Sequence, residues 1–159
     1  MTMTSIPPDV VRELVDALGT GVVATDPDIL GSHAADQARF CPAGTASVLV
    51  RPRSTSQVSI ALQIAARHGV PVVPQGARTG LSGGANAVDG CVLLSLTRMG
   101  QILRIDVAEQ IAVVQPGVVN ADWPGQSPVT GCSTRRTRHL GKPPPSAATS
   151  PPTPAACAV

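Results

Sequence analysis

Between Val72 and Gly84 the chain reads Val-Val-Pro-Gln-Gly-Ala-Arg-Thr-Gly-Leu-Ser-Gly-Gly. Glycine tolerates positive φ and lets another group approach the backbone closely. Successive amides in such a loop can turn toward one point and form an anion-binding nest. Thr79 and Ser82 supply hydroxyls, and Arg78 supplies a charge that matches phosphate oxygens. A strand followed by a phosphate or pyrophosphate loop is one reading. A glycine-rich connection that binds nothing is the other, and spacing alone leaves both open.

Two better-known phosphate loops are excluded. The only lysine is Lys142, so there is no Gly-x-x-x-x-Gly-Lys-Ser/Thr. The spacing Gly76-x-x-x-Gly80-x-x-Gly83-Gly84 is not Gly-x-Gly-x-x-Gly, and no long helical pattern begins behind it. His33, His68 and His139 lack metal-ligand spacing, and Cys41, Cys91, Cys132 and Cys157 form no Cys-x-x-Cys. No metal site is therefore expected, and the cysteines read as reduced cytosolic thiols. The N-terminus has no basic region leading into an apolar stretch, and no apolar run is long enough to span a bilayer. A cytoplasmic location is expected. Asp26, Asp28 and Asp36 suit turns and caps, and Asp106 and Glu109 suit a solvated hairpin turn. None of these acids has a positioned partner that would make it a general base, so no catalytic residue is assigned.

The elements that must hold the loop follow from periodicity. Val10, Val11, Leu14, Val15 and Leu18 predict a helix over about 8–18, started near Asp9 and stopped at Gly19 or Gly21. Val22–Ala24 predicts a short strand, and residues 25–45 read mostly as loop with one helical turn. His33 reads there as a polar loop residue. Ser47–Val50 predicts a strand. Ser54-Thr-Ser-Gln57 fits a capping box, and the helix behind it should run to about Arg67 with Val58, Ala61, Leu62 and Ala65 on one face and Ile60 and Ile64 beside it. Arg67 and His68 suit the negative end of the helix dipole, and Gly69 suits the position after it. Val70–Val73 then leads into the loop, at the strand end where open α/β sheets hold ligands. Asn86–Gly90 predicts a turn and Cys91–Leu96 a buried strand. Ile102–Asp106 and Ile111–Val114 predict a hairpin, ended by Pro116-Gly117, with a new helix starting over 118–123.

Composition separates two regions. Residues 1–123 carry eight arginines against ten acids, net −2, whereas 124–159 carry Arg135, Arg136, Arg138 and Lys142 against none. The basic excess sits in the tail, so no nucleic-acid face is expected on the rest. The tail also holds half of the 16 prolines and few larger aliphatics. Such a segment cannot bury enough apolar surface to offset its ordering entropy and reads as disordered. A natural proline-rich interaction tail and out-of-frame translation both fit it.

Taken in order, Val48–Val58, Val72–Gly84, Val92–Asp106 and Val114-Gln-Pro-Gly-Val118 resemble the first half of the flavin domain of the vanillyl-alcohol oxidase/p-cresol methylhydroxylase superfamily. The branch they are most similar to is the glycolate oxidase and D-lactate dehydrogenase type. The resemblance covers roughly residues 20–122. It implies an α+β (α/β-like) fold of the PCMH type: a first FAD-binding subdomain over 1–123 with a small mixed sheet and flanking helices, followed by the tail, 124–159. In that family the glycine loop wraps the FAD pyrophosphate, which maps onto Gln75, Gly76, Ala77, Arg78, Thr79, Gly80, Leu81, Ser82, Gly83 and Gly84. The family's Pro-Gly near the flavin corresponds to Pro116 and Gly117. Gln75 stands where arginine is frequent, and Arg78 where glycine is frequent. The loop has no histidine, which implies non-covalent FAD.

The resemblance implies hydride transfer from the carbinol carbon of a 2-hydroxy acid to FAD. It stops after Asp122, before the family's second flavin segment and substrate domain. A chain inactive by itself is therefore expected, with the hydroxy acid as partner only when the missing parts are supplied. A small subunit of a split flavoenzyme, and a non-enzymatic interaction protein using the Pro/Arg tail, are the alternatives. Incomplete sheet edges would favour association.

Overall fold

The computed structural model describes residues 6–38, 40–106, 108–109 and 111–119. These fall into two compact units, one ending at Met99 and one beginning at Gly100. The expected tail and the expected helix over 118–123 lie outside the described residues, apart from Val118 and Val119, which are not helical.

The first unit opens with α1, Pro8–Leu18, which buries Val10, Leu14 and Leu18 at three- and four-residue spacing. Val11 and Val15 are half-buried beside them. No side chain caps its start; Pro8 at the first turn removes an amide that would have no partner there. β1, Val23–Ala24, and the short helix α2, Pro27–Ser32, follow. Asp26 caps α2 by accepting from the amides of Asp28 and Ile29 at 2.9 and 3.2 Å, as its residue type suggests.

β2, Ala46–Val50, leads to α3, Thr55–Arg67. Ser54 Oγ accepts from the Gln57 amide at 3.3 Å, one half of a capping box. The other half is displaced by one residue: Gln57 Oε1 accepts from the amide of Arg53, at 2.7 Å. The buried face of α3 is Ala61, Ile64 and Ala65, while Leu62 is 44% exposed. That corrects the expected stripe. A helix lying flat on a sheet buries a narrow arc, and the arc centred on 61, 64 and 65 rotates position 62 outward.

β3, Val72–Gln75, and β4, Cys91–Ser95, complete a sheet of order β1-β2-β4-β3. β2 and β3 both run parallel to β4, and β1 runs antiparallel to β2. β4 is therefore central, and all five of its residues are buried. Pro74, which cannot donate to a ladder, stands on the edge strand, where that loss is tolerated. Alternation divides the core. Val48, Val50, Val92 and Leu94 face α1 and α3, whereas Leu49, Val73, Cys91 and Leu93 face the α2 side. A 3₁₀ turn, Leu96–Arg98, closes the unit.

The second unit contains β5, Ile102–Asp106, and β6, Ile111–Val114, paired antiparallel as the expected hairpin. Gln115-Pro-Gly-Val118 forms a turn closed by the Val118 amide on the Gln115 carbonyl at 3.2 Å.

Candidate functional site

Because β2, β4 and β3 are parallel, their carboxyl ends share one edge of the sheet. The glycine loop leaves β3 at that edge and returns to β4 through Asn86 and Ala87. It is neither a helix start nor an extended strand. Arg78 has φ +56°, and Gly83 has φ +75°. Arg78 is the one non-glycine residue with positive φ among those described. A Cβ on Gly83 would stand 2.7 Å from Cys41 Cβ, so both backbone and neighbour demand glycine there. A Cβ on Gly80 would meet Asp36 Oδ2 at 3.2 Å. Gly76 and Gly84 differ, since a Cβ on either meets nothing within 4 Å.

The backbone accounting of this loop is one-sided. Among the described residues, no amide from Ala77 to Ala85 donates to another part of the chain. Only its carbonyls are engaged: Gly80 accepts from the Gln37 amide at 3.0 Å, Gly83 from the Asn86 amide at 3.1 Å, and Ala85 from the Gln75 side chain at 2.7 Å. Backbone amides ordinarily find partners in protein, water or ligand. Thr79 and Ser82 are exposed, with no partner for either hydroxyl among the described residues.

The loop is held from behind by residues 32–42. Gln75, 1% exposed, donates through Nε2 to the carbonyls of His33 and Ala85 at 2.8 and 2.7 Å. The Arg78 guanidinium donates to the Ser32 carbonyl. Asn86 accepts from the Asp36 amide at 2.8 Å and donates to the carbonyls of Cys41 and Pro42 at 3.1 and 3.3 Å. Asp36 turns the chain there by accepting from the Ala38 amide at 2.8 Å. A cleft of about 440 Å³ opens beside the loop, lined by Asp36, Gln37, Ala38 and Leu81.

Sequence reading missed most of this support. Asn86 reads as a turn residue, yet it is buried and ties segments about 50 positions apart. Residues 32–42 read as a polar loop, and no local pattern announces their role. His33 ends α2 and shares Nδ1 with Ser32 Oγ and the Ile29 carbonyl, each at 3.0 Å. His68 ends α3 and meets Glu13 at 2.8 Å. Neither histidine belongs to a group that could hold a metal among the described residues.

Three arginines influence one another at this end of the sheet. Arg51 and Arg53 follow β2, and Arg98 follows β4. Arg98 donates to the Gly21 carbonyl at 2.9 Å. Desolvation first, then repulsion from Arg51 and Arg53, lowers its proton affinity. Pro116 and Gly117 belong to the second unit, where they occupy the turn that follows β6.

Residues 46–123 match the FAD binding domain family. The D-2-hydroxyglutarate dehydrogenase of Stutzerimonas stutzeri is 41% identical over 115 residues, 72% of this chain and 24% of that protein. The glycolate oxidase subunit GlcD of Bacillus subtilis is 42% identical over 74 residues, 46% of this chain and 16% of that protein. Among solved structures, p-cresol methylhydroxylase with substrate bound superposes with a TM-score of 0.62 at 26% identity, over 74% of this chain and 23% of that one. The chain thus spans about a quarter or less of the length of each of these proteins.

Proposed function

From the premise that residues 46–123 belong to the FAD binding domain family of FAD-linked oxidoreductases, which includes hydroxy-acid dehydrogenases, we propose that the amides of residues 77–85 hold the diphosphate of a non-covalent FAD. The observation that carries this is the run of amides with no partner in the described chain. A diphosphate offers acceptor oxygens only, and unclaimed amides together with the Thr79 and Ser82 hydroxyls offer donors. A Cβ on Gly76 or Gly84 would meet nothing within 4 Å, which leaves room for close approach at both positions. The arginines after β2 and β4 favour an anion at this edge. Pro116 and Gly117 are proposed as flavin-binding residues by the family motif alone.

The whole protein's reaction is proposed as oxidation of a small 2-hydroxy acid. FAD, when bound, supplies the hydride acceptor for the carbinol carbon. The role of the described residues is to bind and orient the cofactor, and no proton-transferring group is assigned to them. Among the described residues no helix is long and apolar enough to cross a membrane. Association through exposed strands of the hairpin is proposed as well, since Ile102, Leu103, Ile111 and Val113 are exposed there.

Titrating FAD into the purified full chain tests the binding reading. Saturable quenching of flavin fluorescence is expected, abolished or strongly weakened by Gly84→Ala. That substitution adds a methyl group where the chain itself has nothing within 4 Å. FAD binding that is indifferent to Gly84→Ala and to Thr79→Val would overturn it.

A further inference from the structure

We propose that Gln75 is a positioning residue: it shapes the glycine loop from inside without touching the ligand. The inference rests on the reading that the loop holds a diphosphate, and goes beyond it. Gln75 closes β3, and its side chain is 1% exposed. Both Nε2 contacts are to carbonyl oxygens, those of His33 at 2.8 Å and Ala85 at 2.7 Å. Carbonyls only accept, so this fixes which end of the amide is nitrogen. One side chain therefore joins three points: the strand before the loop, the end of α2 and the far end of the loop. The ten-residue return from 75 to 85 is closed by a buried brace rather than by its own backbone.

The oxygen of the same amide supports this assignment. Gln75 Oε1 is buried and has no donor among the described residues. A buried acceptor without a partner is costly, and a residue kept for packing alone would do better as a leucine. What leucine cannot supply is the pair of donors. Arg78 adds an outer strut, since its guanidinium bonds the Ser32 carbonyl while its backbone sits at φ +56°. The two longest polar side chains at the start of the loop thus face α2, and recognition is left to the amides. A cradle already shaped loses less freedom on binding.

The thiols of the chain report on loop shape. Cys41 is exposed and stands against Gly83, whereas Cys91 is buried in β4. In the full chain with Cys132 and Cys157 replaced by serine, thiol-modification rates are measured for wild type, Gln75→Leu and Gln75→Glu, alongside FAD affinity. Gln75→Leu should speed Cys41 about tenfold, leave Cys91 unchanged and weaken FAD binding about tenfold. Gln75→Glu, which turns a carboxylate toward two carbonyls, should do at least as much. Wild-type Cys41 rates and FAD affinity in both variants would overturn the proposal. So would Cys41 and Cys91 speeding up together, or loss of folding in both variants, because a brace local to the loop does not hold the sheet. If wild type shows no FAD binding while Gln75→Leu still frees Cys41 alone, the diphosphate reading fails and the positioning role stands.

Discussion

At Gly83 two constraints meet, a left-handed φ of +75° and a Cys41 Cβ only 2.7 Å from where a side chain would begin. Gly83→Ala should destabilise the fold by about 1–3 kcal/mol through backbone strain and forced movement of Cys41. A downward shift of the thermal midpoint checks it. Gly84 faces open space, with no positive φ. Gly84→Ala should leave stability within about 0.5 kcal/mol of wild type and act on FAD affinity instead. Neighbouring glycines would then separate structure from binding. From the sequence both are simply members of one motif. Their difference depends on Cys41, which lies about 40 positions away and leaves no trace in local spacing.

Among the elements, α1 and α3 are joined by Glu13, which meets Arg67 at 2.5 Å and His68 at 2.8 Å. The hydrogen bond from His68, followed by the charge of Arg67, holds its carboxyl below the ordinary glutamate range. A lowered carboxyl pKa contributes stability above the unfolded value, about 4.3, and that contribution disappears as pH falls through the folded value. Glu13→Gln should therefore lower the midpoint slightly at pH 7 and make no difference at strongly acid pH; paired melts at the two extremes check this. The burial beneath is larger. Leu14 is fully buried against α3 and the sheet, and Leu14→Ala should cost about 2–5 kcal/mol, measurable by denaturant unfolding. The helix limits were legible because apolar spacing and Gly19 are local signals. The Glu13 bridge was not. Arg67 and His68 suggest a helix dipole when read alone, and their partner lies 54 and 55 positions away.

For the whole molecule, strand–helix–strand order and the hairpin could be read from apolar runs and their punctuation. Strand neighbours could not. Nothing in Val48–Val50 or Val72–Val73 states that Cys91–Ser95 will lie between them, although the unbroken apolar run of β4 does mark a strand buried on both faces. The second unit leaves large apolar residues exposed, Leu103 at 59% and Ile111 at 48% among them. A two-stranded hairpin is marginal in water. The full chain should therefore associate with rising concentration, and Leu103→Lys with Ile111→Thr should reduce it, as followed by light scattering.

Central placement of β4 also orders events during synthesis. A nascent chain that has reached Ala87 already contains β2, α3 and β3, but the strand that both others pair with has not been made. β2 can pair only with the two-residue β1, and β3 has no strand to pair with until β4 arrives; contacts this distant in sequence close slowly. The glycine loop thus matures only after the ribosome has delivered Ser95. Under the proposed reading, flavin would meet a finished grip rather than a template on which the chain must fold.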